Sequence, residues 1–303
     1  MPSWNEVLSE MLSCDSKRPI DQIRKKYVKK LSEYRQNPLI IYYSGFLHKI
    51  NDEFAYATSI NDLDTDYFMQ AIHSLKIGKN KHLDLILHTP GGNMSAIESI
   101  VNYLHSKFDS ITCFVPQLAM SAGTTLACSC DEIYMGKHSS IGPIDPQLGR
   151  LALYGIIDEY EYIKRKVLGD KKNNIPPDHA SMIFWQEFIK KYSPAFINEC
   201  YQVVELSKEC LKNFLTKRML KNDPSTVQTI VDFLSSHKET KLHGRHINME
   251  TAKNIGLKIR PLEEDSTLQD LVLTVHHCYM HMFENTDALK VVETPEAVVV
   301  VNR

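Results

Sequence analysis

The chain has 303 residues, is 43% hydrophobic and 24% charged, and sets 37 acidic side chains against 35 Lys and Arg for a formal charge of −2. That composition supports a buried core of ordinary size, in one large domain or two small ones. It carries no clustered basic footprint of a nucleic-acid-coating protein.

In chain order, residues 1–36 read as helical, with Ile20, Ile23, Tyr27, Val28 and Leu31 at helical spacing. The basic runs Arg24-Lys25-Lys26 and Lys29-Lys30 fill the other face, so this arm is expected to be an appendage or an interface element rather than core. The opening stretch is interrupted by Asn5, Glu6, Glu10 and Asp15 and lacks a signal-peptide apolar run. No stretch approaches the ~18 apolar residues of a spanning helix, so a soluble, cytoplasmic protein is expected. The 7 Cys are scattered and mostly in apolar contexts, which suits reduced core thiols, and Cys128-Ser-Cys130 has the wrong spacing for a CxxC site.

Leu39–Tyr43 is a short, β-prone apolar run, and a helix is expected over Asp64–Leu75. Leu83–His88 reads as a buried strand, Thr89-Pro90-Gly91-Gly92 as a turn, and Met94–Lys107 as an amphipathic helix. Ile111–Val115 is the next strand, Ser121–Cys128 a small-residue helix, and Glu132–Met135 a third strand. This alternation predicts an α/β fold of βαβ crossovers on a mostly parallel sheet. From Glu159 to Leu220 the pattern is helical and charged, with an exposed loop expected at Lys171–Asn174 and Pro176-Pro177. Asp223-Pro224 starts another helix, Gly256-Leu257 closes one, and Leu268–Met282 is amphipathic. Ala297–Val301 is β-prone and reads as an edge strand or an aggregation-prone end.

Three local features carry chemistry. The paired glycines Gly91 and Gly92, between a strand and a helix, let backbone approach a ligand and leave amides free to point at it, as an oxyanion hole requires. In Ala119-Met120-Ser121-Ala122-Gly123-Thr124 a serine flanked by small residues stands at a helix N-terminus, with the Ala122 amide behind it. An ordinary helix cap is the bland alternative. In Ser140-Ile141-Gly142-Pro143-Ile144-Asp145-Pro146-Gln147, Asp145 is fixed in a Gly/Pro-stiffened segment, though a turn-forming Asp-Pro would look the same.

Together the stretch TPGG, xMSAGT and GPIDPQ, spanning roughly Leu83–Leu148, resembles the Clp-protease/crotonase superfamily, and most closely the serine dehydrogenase proteinase family of Clp-fold peptidases. A weaker echo of the last core helix lies at Ile247–Leu257. The resemblance implies a ClpP/crotonase-like spiral of ββα units. The catalytic domain would occupy 37–262 with a helical insertion at about 159–236. The arm at 1–36 would precede it, and a C-terminal helix and tail would fill 263–303. It also implies Ser121 as nucleophile and Gly92 and Ala122 as oxyanion donors, with Gly91 beside them in the same hole.

The Clp protease pattern carries a histidine just before a proline after the third strand, where this chain has Ile144-Asp145-Pro146. A serine still needs a base, and an ordinary carboxylate near pKa 4 is a weak one. The exchange expected is that Asp145 orients and His243, just before the echo helix, abstracts the proton. His246, His138, Lys137 and Lys164 are the other candidates for the base.

The i,i+4 pair His277 and His281 lacks acidic co-ligands and reads as a helix face. His88 reads as a strand-end side chain satisfied by backbone, and Asn51-Asp52-Glu53 as a loop or cap. No metal and no cofactor are expected, and no phosphate loop occurs. The leading expectation is a serine peptidase acting on peptides or unfolded protein. A crotonase-type acyl-CoA enzyme and a non-catalytic Clp-fold scaffold are the alternatives. The resemblance further implies a homo-oligomer, with contacts from the arm and the inserted helices, and allows a separate regulatory partner; no nucleic acid and no membrane span are expected.

Overall fold

A computed structural model describes residues 4–78, 81–149, 151–170, 173, 175–178, 182–190 and 192–303. The strands among them are Leu39–Ser44 (β1), His82–His88 (β2), Ser110–Val115 (β3), Leu118–Ala119 (β4), Glu132–Met135 (β5), Ser140–Ile141 (β6), Gln147–Leu148 (β7), Leu151–Ala152 (β8), Ile247–Asn248 (β9), Ile259–Pro261 (β10), Ala288–Glu293 (β11) and Val298–Asn302 (β12). The main sheet runs β10-β5-β3-β2-β1-β11-β12. Its first five strands are parallel, and β11 and β12 join antiparallel.

A parallel sheet must be covered on both faces, and the period-2 alternation of its strands does this directly. From β1, Ile40 and Tyr42 enter one core with Leu83, Leu85 and Leu87 of β2 and Ile111, Cys113 and Val115 of β3. The helices Met94–Lys107 and Ala122–Cys128 cover that face. Leu39, Ile41 and Tyr43, with Ile86 and Phe114, enter the opposite core, under the helices Pro19–Arg35 and Ser266–Asn285. β12 is the edge strand that the apolar tail allowed.

The N-terminal arm is not an appendage. Arg24 is 1% exposed and donates to Glu293 Oε2 of β11 at 2.7 Å, while the Tyr279 hydroxyl reaches the same oxygen at 2.6 Å. Read locally, Arg24 belongs to a solvated stripe with Asp21, 2.6 Å away; its buried acid, Glu293, lies 269 residues away. Val28 and Leu31 are buried against the C-terminal helix beside it.

The segment expected as an insertion is helical, with Leu153–Leu168, Met182–Ile189, Pro194–Lys217 and Pro224–Ser235. Leu153, Ile156, Ile157, Ile197, Cys200 and Val204 give it a small core of its own. The loop expected at 171–177 falls largely on residues 171, 172 and 174, which lie outside the described residues. A second, three-stranded sheet, β4-β6-β9, stands beside the main one. It brings the turn after β2, the segment after β4 and the segment after β6 to one place.

Candidate active site

The turn after β2 is shaped by contacts only glycine permits. Gly91 has φ +95°, and a Cβ there would stand 2.5 Å from Met120 O and 2.7 Å from Ser121 Cβ. At Gly92 an added Cβ would meet Ile60 O at 2.2 Å. Ile60 donates to Gly91 O at 2.8 Å and accepts from Asn93 N at 2.9 Å, forming a parallel bridge with Gly92. In an extended segment successive residues present their polar groups to opposite sides, so the Gly92 amide faces away from Ile60. The Gly91 amide donates to Thr89 Oγ1 at 3.1 Å and is occupied.

A buried pair fixes residue 60 in turn. Lys290 of β11 donates to Asp64 at 2.8 Å and to the Ser59 carbonyl at 2.7 Å. Asp64 also accepts from the Asn61 amide at 2.8 Å and the Tyr42 hydroxyl at 3.1 Å. Burial pushes the Asp64 carboxyl up and the Lys290 ammonium down, and their mutual attraction opposes both shifts.

Ser121 stands between β4 and the helix Ala122–Cys128 with φ 52° and ψ −122°, a conformation rare for a side-chain-bearing residue. Such an outlier costs on the order of 1–3 kcal/mol and persists where the surroundings over-determine it. Here the helix behind it is buried throughout, and Gly123 approaches Thr89 so closely that a Cβ would stand 2.4 Å from its methyl. Ser121 occupies the cap position, yet its side chain caps nothing. The amides of Gly123 and Thr124 go to Met120 O and Ser121 O, both at 2.8 Å. The Ala122 amide, at the first helical position, has no acceptor within its helix.

Asp145 is held from three sides. The Gly142 amide donates to Thr124 Oγ1 at 2.9 Å, the Ile144 amide to Leu234 O at 2.9 Å, and the Ser207 hydroxyl to Ile144 O at 3.0 Å. The Asp145 side chain has no solvent exposure and lies 2.9 Å, through Oδ1, from His243 Nδ1. With Nδ1 donating to the carboxylate, His243 Nε2 keeps a lone pair for an incoming proton.

A cleft of about 460 Å³ contains Ser121, Gly91, Gly92 and His243 in its wall, with Met94, Ile144, Val203 and Leu206 as its apolar side. The structure thus brings Ser121, Gly92 and His243 to one cleft, with Asp145 bound to the imidazole. The other candidate bases lie elsewhere. His246 is exposed on the loop before β9. His138 lines a separate recess with Gln117 and His276. Lys164 pairs with Glu161 at 3.2 Å on an exposed helix, and the Lys137 amide binds Glu263.

His88 is buried between Ser44 O (3.2 Å) and Gln117 Oε1 (3.0 Å), and burial lowers it to about 4. Asn51 caps its turn, accepting from the Glu53 amide at 3.1 Å. His281 packs on Trp4 and contacts its carbonyl oxygen at 3.1 Å. Among the described residues, no group of three or more His, Cys, Asp and Glu is arranged to hold a metal, and no helix is long and apolar enough to cross a membrane. The Cys113 and Cys128 thiols are buried and free, and burial pushes both up, away from thiolate chemistry.

Sequence reasoning missed Ile60, whose bridge to Gly92 has no local signal, and His237, whose Nδ1 lies 3.6 Å from Asp145 Oδ2. Gln147, the last residue of the GPIDPQ stretch, donates through Nε2 to Asp145 Oδ2 at 2.8 Å.

A mostly parallel α/β sheet with a serine-led helix beside a glycine-pair turn defines a Clp-like class of protein. Residues 21–262 match the sequence profile of the ClpP-like SDH-type serine proteinases, and the chain belongs to that family. Two uncharacterized proteins of Methanocaldococcus jannaschii are similar over shorter stretches. One is 39% identical over 89 residues, 29% of this chain and 30% of the relative; the other is 37% identical over 98 residues, 32% and 34%. The matches span about a third of the length of these relatives.

Proposed function

We propose that the chain is a serine peptidase using Ser121, His243 and Asp145, with the amides of Gly92 and Ala122 as the oxyanion hole. The observation that carries this reading is the accessible, conformationally strained Ser121 sharing one cleft with an imidazole already bound to a buried carboxylate. His243 Nε2 takes the Ser121 proton as Oγ attacks a peptide carbonyl. The two amides hold the oxygen as it becomes an oxyanion. His243 then gives its proton to the leaving amine, and water releases the acyl group by the same route in reverse. Asp145 keeps the imidazole in the right tautomer and stabilises its charged form. Gly91 acts through its shape, because its own amide is bound to Thr89.

The apolar side chains on the cleft wall suit uncharged substrate residues. An acyl-CoA enzyme would need the two amides but neither Ser121 nor the imidazole–carboxylate pair. Homo-oligomerisation is part of the same proposal and is read by sedimentation of the purified protein. The direct test is labelling with a fluorophosphonate probe. Wild type is expected to be modified at Ser121, with loss in Ser121→Ala; no labelling of wild type, in parallel with a known serine hydrolase that labels, would sink the reading.

A further inference from the structure

Asp145 has two carboxylate oxygens and no contact with solvent. Oδ1 faces His243 Nδ1 at 2.9 Å. Oδ2 accepts from Gln147 at 2.8 Å, and a second imidazole points at the same oxygen, with His237 Nδ1 3.6 Å away. That nitrogen is shut off from solvent and has no hydrogen-bond partner, although the His237 side chain as a whole is 39% exposed. At 3.6 Å a neutral ring makes no hydrogen bond. A protonated ring is drawn to the carboxylate and can close the gap to a charge-assisted bond.

We propose that His237 is a titratable positioning residue that competes with His243 for the Asp145 carboxylate, so that protonation of His237 loosens the hold on the base. The inference rests on the reading of His243 and Asp145 as the acid–base pair. Two imidazoliums on one carboxylate repel each other, and sites coupled this way titrate as a pair.

The surroundings place His237 where protons arrive without passing the substrate. It lines a second, open recess of about 700 Å³ that shares no lining residue with the cleft. Tyr154 and Asp158 face that recess from the helix Leu153–Leu168, and Lys208 from Pro194–Lys217. Asp232 faces it from Pro224–Ser235 and Glu239 from the segment of His237 itself. Lys208 is paired with Glu205 at 2.8 Å, and Asp232 accepts from Gln228 at 2.9 Å. On the inner side the facing groups are Asp145 and His243. A substrate covering the cleft would leave this second recess open.

The test is imidazole NMR titration of the full chain carrying labelled histidine, with signals assigned by their loss in single variants. In wild type, His237 and His243 are expected to titrate as a coupled pair, each curve broader than a single proton or showing two steps. In His237→Gln, which keeps an amide donor and loses the titrating site, the His243 curve is expected to become a single step. Its midpoint is expected to move to higher pH, because the neighbouring positive charge is gone. His237→Asn guards against a local packing artefact and is expected to match. A His243 curve superimposable on wild type in both variants would overturn the proposal. If the protein hydrolyses peptide, the acid limb of its pH profile is expected to shift with the NMR midpoint. The readout does not depend on catalysis. Hydrolysis surviving in Ser121→Ala would defeat the reading of Ser121 as nucleophile while the coupled titration could still stand.

Discussion

The two walls of the cleft are supported in different ways. On the nucleophile side, Ser121 leads a helix buried at every position, and Gly91 and Gly92 are wedged between the backbones of Met120 and Ile60. On the base side, His243 sits in a loop where Lys241, Leu242, Gly244, Arg245 and His246 are all exposed. Its side chain, 30% exposed, is hydrogen-bonded to Asp145 at 2.9 Å. Groups that stabilise developing charge act by being fixed in advance, whereas a proton carrier needs only reach and the right tautomer. Substitutions on the two sides should therefore fail differently, and four experiments can break or sharpen that contrast.

The largest effect is expected from Ser121→Ala. It should lower peptide hydrolysis by about 10⁶-fold, as loss of a nucleophile does elsewhere, and abolish fluorophosphonate labelling. Activity within tenfold of wild type would remove the nucleophile side from the mechanism. Next, His243→Ala should lower kcat by about 10⁶-fold, as loss of a triad histidine does elsewhere. Because it also strips a donor from the buried Asp145 carboxylate, it should lower the unfolding free energy by about 1–3 kcal/mol by urea titration. A folded His243→Ala protein with unchanged kcat would move the base elsewhere.

Gly92→Ala should fail in both respects. The new methyl would meet Ile60 O at 2.2 Å, costing on the order of 1–3 kcal/mol of stability and about 10²–10³ in kcat through a displaced amide. Gly244→Ala is the matched control: nothing lies within 4 Å of its Cβ position, so stability and kcat should stay within about threefold-equivalent changes. Equal penalties at both glycines would erase the distinction between the walls.

The smallest effect on activity concerns His88, behind the nucleophile-side turn. Burial lowers it to about 4 in the folded chain, against about 6.5 unfolded. Below the unfolded value, only the unfolded chain binds this proton. Stability therefore falls as pH drops from about 6.5 to about 4, by up to about 3 kcal/mol. His88→Gln should flatten that part of the urea-midpoint profile. A variant profile parallel to wild type would show that His88 is not the group responsible.

Those contrasts also explain what the sequence could disclose. Leu83–His88, Thr89–Gly92 and Ala119–Thr124 are contiguous, so alternation, turn chemistry and helix start were legible as one strand–turn–helix series. Observed strands and helices there fall within one or two residues of the expected ends. Asp145 and His243 lie 98 residues apart, and no local pattern reports that distance. Proximity of His243 to the echo helix was the usable clue. His237 left none, since its neighbourhood reads only as a helix start, with Ser236 accepting from the Glu239 amide. The arm at 1–36 misled for the same reason: Arg24 looks like a surface charge until Glu293 is placed beside it.

The reach of Lys290 has a wider consequence. This lysine belongs to β11, beyond the stretch of 21–262 shared with the family, yet its ammonium grips the carbonyl of Ser59, the neighbour of the residue that clasps Gly92. The C-terminal hairpin thus acts as a tensioning peg for the opposite rim of the cleft. Trimming it back, by a protease or by engineering, would slacken that rim before it touched any side chain that handles protons.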